Sequence, residues 1–263
     1  MIRYARPRLI TADDKRYRAY VDQFILQRSN QKAMRPPRQR DIFGGQAERA
    51  LRGWLAQRLE LCERRILEYE EHRGRRADTK YRELDALLLD ETAKSVHVFE
   101  IKASRSAGSL RRASGQLYET RNILRLHYPT VALTVLLVDT GIPDAAAVAE
   151  IMAGPDPPAR PPETLAELLA SRPDMQLLAD LSAQPDVADG IGVLRFSVDD
   201  IVQLAGAENL ALDWSDEDED IAGSEKPASS RVYSSNDAQA DDNDDDDDDD
   251  NPMAAALRRA GLS

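Results

Sequence analysis

The sequence predicts an α/β fold: a helix, a central mixed β-sheet and flanking helices, then an extra α-helical C-terminal region and a disordered acidic tail. Three observations predict it. Two strand patterns joined by a short turn lie at 81–89 and 95–103. Helical periodicities bracket them on both sides. Near the end of the chain, apolar residues all but vanish and aspartates accumulate.

Residues 1–42 read as a basic N-terminal helical extension. Tyr17, Tyr20, Val21, Phe24, Ile25 and Leu26 recur at helical spacing behind the capping candidates Asp13 and Asp14. Pro36-Pro37 ends that stretch. After Gly44-Gly45, Ala47, Ala50, Leu51, Trp54, Leu55, Leu59 and Cys62 form the buried stripe of a second helix. The segment 81–89, YRELDALLL, is apolar on both faces beyond its start, as an interior strand is. The turn 90–94 makes it a hairpin with 95–103, SVHVFEIKA, which is rich in β-branched and aromatic residues. A helix over 108–127 carries Leu110, Ala113, Leu117 and Leu124 on its stripe, and Pro129 closes it. The run TVALTVLLV at 130–138 predicts a fully buried strand. Residues 43–140 thus form the core.

Residues 141–212 read as a mostly helical accessory region packed on that core. Helices are expected at 144–152, 164–170, 175–181 and 197–204, a strand at 191–196 and a proline-rich loop at 154–162. Residues 213–251 have too few apolar groups to offset their ordering entropy and are expected to be disordered. Residues 252–263 have helical propensity and read as a short docking peptide.

The formal net charge of −12 is unevenly distributed. Residues 1–130 hold 28 bases and 17 acids, whereas 213–251 hold 2 bases and 17 acids. A basic front half is the pattern of a polyanion partner. The acidic tail has three readings: a solubility tail, a mimic of DNA, or a tether for the terminal peptide. The single cysteine, Cys62, excludes disulfide frameworks and Cys-ligated clusters within one chain and suits a cytoplasmic location. No apolar run nears the roughly 18 residues of a membrane span, and no apolar region follows the N-terminal arginines as a secretory signal requires. His72, His97 and His127 lack metal-ligand spacing. No Walker A or G-x-G-x-x-G pattern occurs.

Chemistry concentrates in the hairpin. Side chains two apart in a strand share a face, so Glu83 pairs with Asp85, and Glu100 with Lys102. Glu83 reads either as a supporting acid or as the ion-pair partner of an arginine. Buried carboxylates beside a lysine need a compensating charge, and a divalent cation with several waters supplies it.

The ordered set Glu48 in a helix, Asp85 in a strand, Glu100-Ile101-Lys102 in the next strand and Gln116 in the following helix resembles the PD-(D/E)XK, or restriction-endonuclease-like, nuclease superfamily. Its local text, ELDALLLD followed by HVFEIKAS, is similar to that of archaeal Holliday-junction resolvases. The resemblance spans about residues 44–139. Where some members have a tyrosine four residues after the glutamine, this chain has Thr120. The resemblance implies a restriction-endonuclease-like core and Mg²⁺-dependent hydrolysis of phosphodiester bonds in DNA, with Mn²⁺ able to substitute. Asp85, Glu100, the Ile101 carbonyl and Glu48 would then serve as metal ligands. It makes Asp85, Glu100, Lys102, Glu48 and Gln116 the catalytic set, with Lys102 orienting or deprotonating the attacking water. Arg105, Arg111 and Arg112 are the expected phosphate contacts. Paired subunits that cut two strands, an ATPase or helicase partner, and a place in anti-phage defence or DNA processing fit the same resemblance. The reading of another class is a non-catalytic nucleic-acid-binding scaffold with an acidic regulatory tail.

Overall fold

One strand path serves two sheets and bends between them at Leu84-Asp85. In the computed structural model, which describes residues 2–29, 38–213 and 232–234, the chain begins with β1 (Ile2–Ile10), α1 (Lys15–Ser29) and α2 (Gln39–Ala56). The hairpin β2 (Ile66–Arg73) and β3 (Arg76–Glu83) follows, then β4 (Ala86–Asp90), β5 (Ser95–Ser104), α3 (Gly108–Leu124) and β6 (Thr130–Asp139). The remainder is α4 (Ala145–Ala153), α5 (Leu165–Ser171), β7 (Met175–Leu177), β8 (Ile191–Ser197), α6 (Val198–Ala205) and β9 (Val232–Ser234). The N-terminal sheet has the order β1-β2-β3-β9 and is antiparallel throughout. The central sheet has the order β4-β5-β6-β8-β7 and is mixed: β4 runs antiparallel to β5, and the other pairs are parallel.

The α/β class and the mixed central sheet are those the sequence predicts. Alternation along β5 and β6 explains the layers. Val96, Val98, Leu133, Val135 and Leu137 face the layer of α3, where Leu110, Ala113 and Leu117 pack on them. Phe99, Ile101, Leu136 and Val138 face the opposite layer, against Phe43, Ala47, Leu51 and Leu55 of α2 and Ile201 of α6. His97 is structural: it stacks on Phe99 at 4.1 Å and meets the Thr134 hydroxyl at 2.8 Å, and burial pushes its pKa down to about 4.

Several expectations are corrected. Residues 1–42 are not wholly helical, because β1 precedes α1. Its arginines pair across the sheet, Arg6 with Glu70 and Arg8 with Glu68, so a strand forms from residues that look like a basic arm. The hairpin of β2 and β3 has charges on both faces and therefore lacks a strand's apolar alternation. Gly74 turns it at φ +64°. The expected strand 81–89 breaks at Leu84-Asp85 into β3 and β4. The second helix starts before Gly44-Gly45 and ends at Ala56, so Cys62 lies beyond it, half-buried, with its N–H donating to the Leu87 carbonyl at 2.8 Å. Residues 141–212 are less helical than expected and add β8 and β7 to the central sheet. Met175–Leu177, expected as helix, pairs in parallel with β8. Within the stretch expected to be disordered, Val232–Ser234 adds a strand to the edge of β3; Val232 and Tyr233 supply the β-branched and aromatic character. The rest of the expected tail beyond Asp213, and the terminal peptide 252–263, lie outside the described residues.

The course of α2 through its two glycines is testable. A Cβ at Gly45 meets nothing within 4 Å, and the residue is helical. Gly45→Ala is expected to stabilise the protein by about 0.5–1 kcal/mol. Leu51→Ala, at a fully buried position, is expected to cost about 2–5 kcal/mol. Urea midpoints read both.

Candidate functional site

Beyond Ala86, which pairs with Phe99, the ladder between β4 and β5 stops. The next strand-edge donor of β5, the Ile101 N–H, is taken by a side chain: it donates to Asp85 Oδ2 at 2.6 Å. The Asp85 carboxylate thus stands where a backbone carbonyl would continue the ladder. The N–H and C=O of one strand residue point to the same neighbour, so the Ile101 carbonyl is directed to that edge too. Asp85 lies at the bend between β3 and β4 rather than within a strand, and both it and Glu83 act on Arg52. Glu83 pairs with Arg65 at 2.5 Å, the second of its two sequence readings.

Glu100, 9% exposed, and Lys102 share a face of β5, and Lys102 Nζ stands 3.5 Å from Glu100 Oε1. Burial raises the pKa of Asp85 well above the ordinary carboxylate value, and the charges of Glu100 and Glu48 raise it further. The Ile101 N–H and Lys102 oppose them only in part. Burial also raises Glu100, against the pull of Lys102 and Arg82. Glu48 is half-buried on α2, close enough to act on both acids. The four residues Glu48, Asp85, Glu100 and Lys102 therefore come together.

Gln116 is half-buried on α3, and its Oε1 is buried with no hydrogen-bond partner among the described residues. Its backbone carbonyl accepts from Arg82 at 2.9 Å. Arg105 sits in the turn after β5, and Arg111 and Arg112 are exposed on the first turn of α3, at the Lys102 end of the sheet. Arg111 is ion-paired with Glu163.

Three cations went unread in the sequence. Arg82 is 3% exposed and acts on Glu100 from behind. It also donates to Thr120 Oγ1 at 2.7 Å and pairs with Glu119, which ties β3 to α3. Thr120, four residues after Gln116, thus holds an arginine. Arg65 anchors Glu83. Arg52, one helical turn after Glu48, is held below its ordinary pKa by burial and by Arg65, against the acids Glu48, Glu83 and Asp85. Only the Glu48–Arg52 spacing carried a readable signal, as an i,i+4 pair.

Among the described residues, no three His, Cys, Asp or Glu side chains gather as a metal cage. The donor set nevertheless fits a magnesium-like ion, which takes one or two carboxylates and keeps several waters. Asp85 and Glu100 are two under-compensated carboxylates beside a carbonyl, and Glu48 is placed to act through water. No helix among the described residues is long and apolar enough to cross a membrane. Against known proteins, the chain matches no family model, no curated protein and no solved structure.

The electrostatics predict a stability signature. A carboxyl raised by folding contributes stability below its unfolded pKa near 4, and that contribution is lost as pH rises through the folded pKa. Asp85→Asn and Glu100→Gln remove that loss. In EDTA at pH 7 each is expected to be more stable than wild type, read as a higher Tm. The gap should close near pH 4. Added Mg²⁺ should raise the Tm of wild type and leave both variants unmoved. Variants less stable than wild type at pH 7 would show that the ionised pair is not strained.

Proposed function

We propose that the chain is a metal-dependent nuclease with a restriction-endonuclease-like core, hydrolysing phosphodiester bonds in DNA. The observation that carries this reading is the buried pair Asp85 and Glu100 with Lys102 alongside, under-compensated and open to one more cation. The element order supports it: α2, β2, the bent β3–β4 path, β5, α3 and β6 run helix, three strands, helix, strand.

Asp85, Glu100 and the Ile101 carbonyl would hold the ion, with Glu48 acting through water. When bound, the ion supplies Lewis-acid stabilisation of the scissile phosphate and a lowered pKa for its water. The Ile101 N–H fixes the Asp85 carboxylate in one orientation. Lys102 directs its ammonium protons toward the attacking water and offsets negative charge as it grows on the phosphate. Arg82, itself buried, pulls against the burial that raises Glu100 and so favours its ionised form without touching substrate. Arg111 and Arg112 meet the DNA backbone on either side of the cut and set its register.

The test is cleavage of supercoiled plasmid with Mg²⁺ or Mn²⁺. Wild type is expected to nick or linearise it. Asp85→Asn and Lys102→Ala are each expected to slow cleavage by at least about 100-fold with unchanged circular dichroism. Cleavage that survives both substitutions overturns the site. A folded wild type that binds DNA but never cuts it would favour the scaffold reading.

A further inference from the structure

A cavity of about 610 Å³ lies between α1 and the N-terminal sheet, within the size range of small-molecule sites. It is on the opposite face of that sheet from Arg82, since Tyr81 packs with Tyr17 and Tyr20 of α1 and neighbouring strand residues point to opposite faces. Tyr20 and Tyr81 give it an aromatic wall. Arg6, Arg8 and Arg16 line it as well. Arg6 and Arg8 are held by Glu70 and Glu68, at 2.8 and 2.5 Å, whereas Arg16 forms no ion pair among the described residues. A register shift between Ala5 and Arg8 bends β1 here and leaves Arg6 at φ +51° directly before Pro7. That backbone is costly for a residue with a Cβ. Bulges of this kind re-aim side chains toward sites.

The deciding group is Glu68. It lines the cavity and is 7% exposed. One oxygen accepts from Arg8, and the other, Oε2, is buried with no hydrogen-bond partner within 3.5 Å among the described residues, although the Tyr81 hydroxyl of the same cavity lies near enough for Glu68 to raise its pKa. A buried acceptor without a donor is rare, because its lost hydration is not returned. A simple anion would satisfy Arg16 and leave Glu68 wanting. A simple cation would satisfy Glu68 and face three arginines. The occupant needs a hydrogen-bond donor at one end, a negative charge at the other and a flat apolar body between.

We propose that this cavity binds a nucleotide, its base amino group donating to Glu68 and its phosphate held by Arg16. Cytosine, adenine and guanine carry such an amino group, and thymine does not. The ligand is either a free nucleotide or an unpaired nucleotide of a strand. The site goes beyond the nuclease reading and does not depend on it.

The test is calorimetric titration of the full chain in EDTA with dCMP, dTMP and deoxycytidine. Saturable dCMP binding is expected, with dTMP and deoxycytidine each about tenfold weaker. Arg16→Ala, at an exposed position, should reduce dCMP to the level of deoxycytidine. Glu68→Gln should erase the difference between dCMP and dTMP. Binding of a short oligodeoxycytidine that is tighter than that of dCMP and is weakened by Arg16→Ala assigns the cavity to a strand, and oligodeoxycytidine binding that Arg16→Ala leaves unchanged assigns it to a free nucleotide. Asp85→Asn should bind as wild type does, so this proposal and the nuclease reading can fail separately. Absence of saturable binding, or binding that ignores both cavity substitutions, overturns it.

Discussion

The hydrogen bond from the Ile101 N–H to Asp85 is the joint of the molecule. At Leu84-Asp85 the chain leaves the N-terminal sheet and enters the central one. A strand that turns away leaves its neighbour with an unpaired donor, which is costly once buried. Here a carboxylate takes over that donor. Backbone satisfaction therefore dictates where the acid sits, and Glu100 and Lys102 follow because they flank Ile101. The Leu84 N–H donates to the Arg65 carbonyl at 2.8 Å, so the bend is held from the other sheet as well.

The sequence discloses elements whose burial is one-sided or complete. The helix stripe of Ala47, Leu51 and Leu55 and the run 130–138 are legible because apolar periodicity reports a hydrophobic face. The N-terminal sheet is illegible for the same reason. In β2 and β3, Glu68, Glu71 and Arg82 are buried; Glu68 and Arg82 find partners on β1 and α3, and Glu71 on Lys80 of β3 as well as on Arg73 of its own strand. Ion pairing between distant segments leaves no periodic trace along one segment. The bend was hidden too: YRELDALLL reads as one interior strand, apolar on both faces beyond its start, and only pairing to two different sheets divides it. Asp85, Glu100 and Lys102 could be read because strand register puts them near one another. Arg65 and Arg82 could not, since their role depends on how the elements converge, and Arg52 showed only its i,i+4 spacing from Glu48.

β9 sharpens the meaning of the uneven charge. Val232, Tyr233 and Ser234 pair with Arg82, Tyr81 and Lys80. An open β3 edge would present unpaired N–H and C=O groups to any passing strand. Covering it with three residues from an otherwise acidic stretch anchors that stretch to the strand that leads into Asp85. Residues 232–234 are thereby joined to the basic front half by backbone hydrogen bonds.

The cations around the site do not cancel its acids evenly. Arg65 is committed to Glu83, and Arg82 is shared between Glu119 and the field at Glu100. Lys102 reaches Glu100 at 3.5 Å, longer than a firm charge-assisted bond. Among the described residues, the direct donor to Asp85 is a backbone N–H, and the charges of Glu100 and Glu48 act against it. A fold selected for stability alone would bring an arginine to this spot or replace the acid with an apolar residue, since a buried carboxylate pair opposes folding. Nearby arginines frame the acids without neutralising Asp85. Local conflict of this kind, inside a core whose other layers are consistent, is what the proposed metal-dependent chemistry would account for.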